Sequence, residues 1–133
     1  MVNSRNTKKN ILVIDPDREF CKSVCLYLEE SYNLIRRQRL EHVDYTILLK
    51  RIDLLLIDAD YFTDKLSRFL SSVHHKHPDL KIVVMYTFFA GDKKEELEIA
   101  DEADALIAKP FDVRILEKRI EHLLLPQAQV SQT

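Results

Sequence analysis

The chain has 133 residues, enough to bury one sizeable core and too few for two domains of ordinary size. Hydrophobic residues make up 46% and charged residues 32%, with a formal net charge of -2, so no global field draws the chain to nucleic acid or to an anionic membrane. No apolar run approaches membrane-spanning length, and the basic N-terminus precedes only the short block Ile11–Ile14, so a cytoplasmic address is expected.

Residues 1–9 read as a disordered N-terminus, 10–125 as the domain, and the Gln-rich 126–133 as a flexible tail or linker. Ile11–Ile14 is wholly apolar, as a strand buried on both faces of a parallel sheet should be. Pro16 suits the first position of the following helix and Asp17 suits its cap, with Phe20, Val24 and Leu28 at helical spacing. Cys21 and Cys25 stand one turn apart on that helix, which fits reduced, half-buried thiols rather than a disulfide framework.

Asn33–Arg37 is a weaker strand candidate. Arg36, Arg37, Arg39, Lys50 and Arg51 gather around it, and protection of a sheet edge by charge explains them without a nucleic acid. Val43, Ile47 and Leu48 predict the next helix, and Leu54–Ile57 the next strand. A helix then carries Leu66, Phe69, Leu70 and Val73 and ends before Pro78. Its His74 and His77 lie three apart, but with no acid or cysteine at ligand spacing they read as solvent-facing imidazoles. Ile82–Met85 is a strand, Asp92-Lys93-Lys94-Glu95 a capping box before a helix with Leu97 and Ala100, and Ala105–Ala108 a last strand. Asp112 caps a final helix through Val113, Leu116, Ile120, Leu123 and Leu124.

Strand and helix alternate five times with short connections, which predicts a doubly wound, flavodoxin-like α/β fold. A five-stranded parallel sheet in the order 2-1-3-4-5 lies between five helices in three α/β/α layers. Ligands in such folds bind beyond the carboxyl ends of the strands, at the switch point between the first and third. Gly91 is the only glycine, so a glycine-rich phosphate cradle is excluded.

The residues that close the apolar blocks are Asp15, Asp58, Thr87 and Lys109. Carboxylate oxygens suit Mg²⁺, and a hydroxyl and an ammonium suit phosphoryl oxygens, so the set is equipped for metal-assisted phosphoryl transfer onto a carboxylate. With "ILVID", "DLLLID" over Asp53–Asp58, "IVVMYT" over Ile82–Thr87 and "ADALIAKPF" over Ala103–Phe111, the chain resembles the receiver domain of two-component response regulators over residues 10–125.

The resemblance implies a non-enzymatic signalling module that takes a phosphoryl group from a histidine kinase or phosphotransfer protein. It implies Asp58 as phosphoacceptor, Asp15, Asp58 and Asp60 around Mg²⁺, Thr87 and Lys109 as phosphoryl-binding and switch residues, and a cis Lys109-Pro110 bond. It also implies signalling, and a homodimer, through the fourth helix, fifth strand and fifth helix. Acids on that fourth helix and fifth strand (Glu95, Glu96, Glu98, Asp101, Asp104) and bases on the fifth helix (Arg114, Lys118, Arg119) suit an ion-paired face, and solvated helix faces explain them equally.

Three positions depart from the family. Pro16 stands where a second metal-binding acid is usual, so Mg²⁺ binding should be weak. Phe88 replaces a small residue after Thr87, and Leu106 the aromatic switch residue. These departures keep open a degenerate receiver that binds partners without phosphorylation. A remoter alternative is a haloacid-dehalogenase-type phosphohydrolase using Asp15 and Asp17, which leaves Asp58 without a role and lacks the further acidic pair that family carries after its lysine.

Overall fold

The computed structural model describes residues 8–60, 63–87 and 93–125. Wholly apolar quartets become strands because a residue buried on either face of a sheet needs no polar partner beyond the main-chain ladder. The strands are β1 (Lys9–Ile14), β2 (Tyr32–Arg37), β3 (Leu54–Asp58), β4 (Lys81–Tyr86) and β5 (Ala105–Ala108). They alternate with α1 (Arg18–Leu28), α2 (Val43–Lys50), α3 (Thr63–Lys76), α4 (Lys93–Glu102) and α5 (Val113–Leu123). All pairings are parallel and the order is β2-β1-β3-β4-β5, as the sequence predicts.

Alternate residues of each strand feed two separate cores. Leu12, Ile14, Leu55, Ile57, Ile82 and Val84 pack with Val43 and Ile47 of α2, Leu66, Leu70 and Val73 of α3, and Ile99 of α4. Ile11, Val13, Leu54, Leu56, Val83 and Met85 pack on the other face with Cys21, Val24, Cys25 and Leu28 of α1 and Leu116 and Ile120 of α5. Each fully buried Leu, Ile or Val contributes roughly 1.5–3 kcal/mol relative to exposure. The period of two along the strands thus produces the three layers.

Several local expectations shift. β1 begins at Lys9, which pairs with Tyr32, and Lys8 Nζ donates to the Glu29 carbonyl at 3.1 Å, so order starts before residue 10. Residues 1–7 and 126–133 lie outside the described residues. Pro16 is not in the first turn of α1. Asp17 is the N-cap, accepting from Phe20 N, and Arg18 is the first helical residue. The reason is an Asx turn: Asp15 Oδ1 accepts from Asp17 N at 2.9 Å, so the chain reverses over Pro16 before the helix begins.

Asp112 caps α5 as predicted, accepting from Arg114 N. The capping box read at Asp92–Glu95 lies partly outside the described residues, although α4 does start at Lys93. Two of the apolar residues that mark the helices by their spacing face outward: Leu48 is 68% and Leu97 58% exposed, and in α4 Ile99 is the fully buried anchor.

Candidate functional site

Parallel strands bring their carboxyl ends to one edge, and β1 and β3 are neighbours in register, Ile14 opposite Ile57. Asp15 and Asp58, the next residues, therefore stand side by side, with 1% and 4% of their surfaces exposed. They are the buried polar residues of the described chain, and one ammonium serves both. Lys109, following β5, places Nζ 2.8 Å from Asp15 Oδ2 and 3.0 Å from Asp58 Oδ1. The peptide after it, Lys109-Pro110, is cis as expected.

Main-chain bonds hold these residues in place. Asp15 N donates to the Arg37 carbonyl at 3.1 Å, Ala59 N to Met85 at 2.7 Å, and Lys109 N to Tyr86 at 2.6 Å. Each loop is thereby fastened to a neighbouring strand just where its functional residue leaves the sheet. Burial raises the Asp15 carboxyl above the usual carboxylate range, with the Lys109 ammonium and the Asp17 N–H opposing it. Burial also disfavours the charged Lys109, but hydrogen bonds and charges from Asp15 and Asp58 together outweigh it, so its ammonium is held more firmly than usual.

Asp60 and Thr87 meet at the same edge in a different way from that expected. The Thr87 main-chain N–H donates to Asp60 Oδ2 at 2.5 Å, joining the β3 loop to the end of β4. Asp60 Oδ1 is buried without a hydrogen-bond partner. Among the described residues no group of three His, Cys, Asp or Glu side chains gathers as a metal site. Pro16 adds no side-chain oxygen. The donors are hard oxygens of the kind Mg²⁺ takes, but few, and two are engaged by Lys109.

Asp17 caps α1, its Oδ1 accepting from Phe20 N at 3.1 Å, as the sequence predicts. Leu106 is half-buried against the core beneath α2, α3 and α4. Phe88 lies outside the described residues.

Phe20 is the residue that sequence reasoning missed. Its ring lies under the Lys109 ammonium, with Nζ 4.3 Å from the ring centroid, and stands nearly perpendicular to Phe111, 86° at 5.8 Å between centroids. In sequence it is one apolar position in an amphipathic helix, and nothing in its spacing distinguishes a core contact from a seat for a cation.

No protein-family model matches the sequence, and no curated protein matches it. Among solved structures the chain is similar to a response regulator from Thermotoga maritima, at 21% identity and a TM-score of 0.77, covering 88% of this chain and 98% of that one. An orphan response regulator of H. pylori matches at 22% identity and a TM-score of 0.75, over 88% of this chain and 97% of that one. A CheY-like receiver domain from Methanospirillum hungatei matches at 24% and 0.72, over 88% and 94%. The fold of the chain is that of the response regulator receiver domains.

Proposed function

We propose that this receiver fold works as one, taking a phosphoryl group onto Asp58 from a histidine kinase or phosphotransfer protein of a two-component phosphorelay. The observation that carries this reading is the Lys109 ammonium bridging Asp15 and Asp58 at the carboxyl edge of the sheet. An Asp58 oxygen attacks the phosphorus of a phosphohistidine, the P–N bond breaks, and the imidazole leaves with the electron pair. The chain is then the acceptor in a transfer rather than an enzyme that turns over.

Mg²⁺ bound by Asp15 and Asp58, with Asp60 on the same edge, would offset the charge on the phosphoryl oxygens. Binding is weak because Pro16 supplies no ligand and Lys109 competes for the same carboxylates. Lys109 follows the new negative charge from the carboxylates to the phosphoryl oxygens, and the Thr87 hydroxyl turns toward them. The Thr87 main chain is tied to Asp60, so this movement is coupled to the residue that follows β3 by two positions.

The output surface is α4-β5-α5. None of the ion pairs among the described residues joins α4 to α5; Arg114 pairs with Asp112 beside it, and Glu96, Glu98, Asp101 and Lys118 are the charges this reading offers to a second copy or another partner. No helix among the described residues is long and apolar enough to cross a membrane, and a cytoplasmic place of action goes with this reading.

Intact-mass analysis after incubation with Mg²⁺ and a small phosphodonor tests the proposal. Wild type gains one phosphoryl group and Asp58→Asn does not. No adduct at any donor concentration rejects it in favour of a phosphorylation-independent interaction module, the reading that Pro16 and the half-buried Leu106 favour. Steady phosphomonoester turnover that survives Asp58→Asn and fails in Asp15→Asn points instead to the phosphohydrolase.

A further inference from the structure

The Lys109 ammonium is contacted from three sides. Two contacts are the carboxylates of Asp15 and Asp58, and the third is the face of Phe20, 4.3 Å below. Phe20 is itself held from two directions. Its N–H donates to Asp17 Oδ1, which fixes it in the first turn of α1, and Phe111 stands against its ring, two residues past the lysine it supports. The segment Lys109-Pro110-Phe111 therefore sets both an ammonium and a second ring against Phe20. Only 17% of the Lys109 side chain is exposed, so the cation meets the ring quadrupole with little water between to screen it.

We propose that Phe20 is a positioning residue for Lys109, keeping its ammonium seated between Asp15 and Asp58 so that a divalent cation must displace a lysine held on three sides rather than two. The proposal deepens the receiver reading, because Asp15 and Asp58 are the carboxylates which that reading assigns to Mg²⁺. It gives Phe20 a role beyond filling space. The ring sets how tightly the chain's own cation competes with an external one.

Two measurements on the folded protein test this without any phosphorylation. The Lys109 side-chain proton resonances should lie upfield of those of other lysines because of the Phe20 ring current. They should return to ordinary positions in Phe20→Leu and stay upfield in Phe20→Tyr. Mg²⁺ titration, followed by the Asp15 and Asp58 amide signals, should show about fivefold to tenfold tighter binding in Phe20→Leu and little change in Phe20→Tyr. In a Lys109→Met background, Phe20→Leu should have no further effect on Mg²⁺ affinity.

Ordinary Lys109 shifts in wild type would overturn the proposal, as would unchanged Mg²⁺ affinity in a folded Phe20→Leu, or an effect that persists without Lys109. If neither wild type nor any variant binds Mg²⁺, the competition is refuted along with the metal part of the receiver reading, and the ring-current signature still decides whether the ring seats the lysine. Failure to phosphorylate Asp58 alters neither measurement.

Discussion

At the scale of single residues, Lys109 holds the balance of the site. Two buried carboxylates side by side repel each other, and an ammonium at 2.8 and 3.0 Å makes the pair tolerable. Removing one partner from such a cluster costs more than the attraction was worth, because the remaining charges stay buried without compensation. Lys109→Met should therefore lower stability by about 3 kcal/mol, read from urea unfolding. Asp58→Asn should cost less, since Lys109 keeps Asp15. A loss in Lys109→Met no larger than in Asp58→Asn would mean that the two carboxylates do not depend on the ammonium for their burial.

At the scale of elements, α2 shows how a sequence with one glycine manages its turns. Both ends of the helix sit in the left-handed region, His42 at φ 61° and Arg51 at φ 53°. Arg51 closes α2 through its N–H to the Ile47 carbonyl, a position where a side chain costs about 1–2 kcal/mol and glycine costs none. Arg51→Gly should stabilise the protein by roughly 0.5 kcal/mol once the extra freedom of glycine in the unfolded chain is subtracted, measurable as a raised unfolding midpoint. A loss would show that the Arg51 side chain contributes contacts that outweigh its backbone strain.

The same helix shows the limit of apolar spacing as a guide to burial. Val43, Tyr45, Ile47, Leu48 and Leu49 make α2 apolar nearly all round, so spacing alone cannot phase it; Val43 and Ile47 are buried, and Tyr45, Leu48 and Leu49 are exposed. In α4 Leu97 and Ile99 compete for the same role, and packing against α3 and the sheet selects Ile99.

At the scale of the whole molecule, two cores clasp one sheet, and α1 seals the one that holds both cysteines. Burial, reinforced by the nearby Asp15 charge, pushes the Cys21 thiol up to about 12, and burial raises Cys25 as well. A native thiol that keeps its proton above the unfolded value of 9.0 contributes stability below that pH. The contribution is then lost as pH rises from 9.0 towards 12. Native protein at pH 8 should leave both cysteines unmodified by a thiol reagent on the timescale that labels them fully in denaturant, as followed by mass. Fast native labelling would mean that α1 opens readily from the sheet.

The sequence by itself determined the order of strands and helices and the four residues that end the strands. Blocks buried on both faces announce themselves by composition, and a polar residue closing one marks where the chain leaves the sheet. Only the tertiary structure decided who partners whom. Lys109 lies 94 residues from Asp15 and 51 from Asp58, separations that no local periodicity encodes. The same holds for Asp60, which binds the Thr87 main chain, and for Phe20, whose ring seats a cation. Strand order places side chains from distant parts of the chain within a few ångströms of one another, and their contacts follow from that packing rather than from any spacing along the chain.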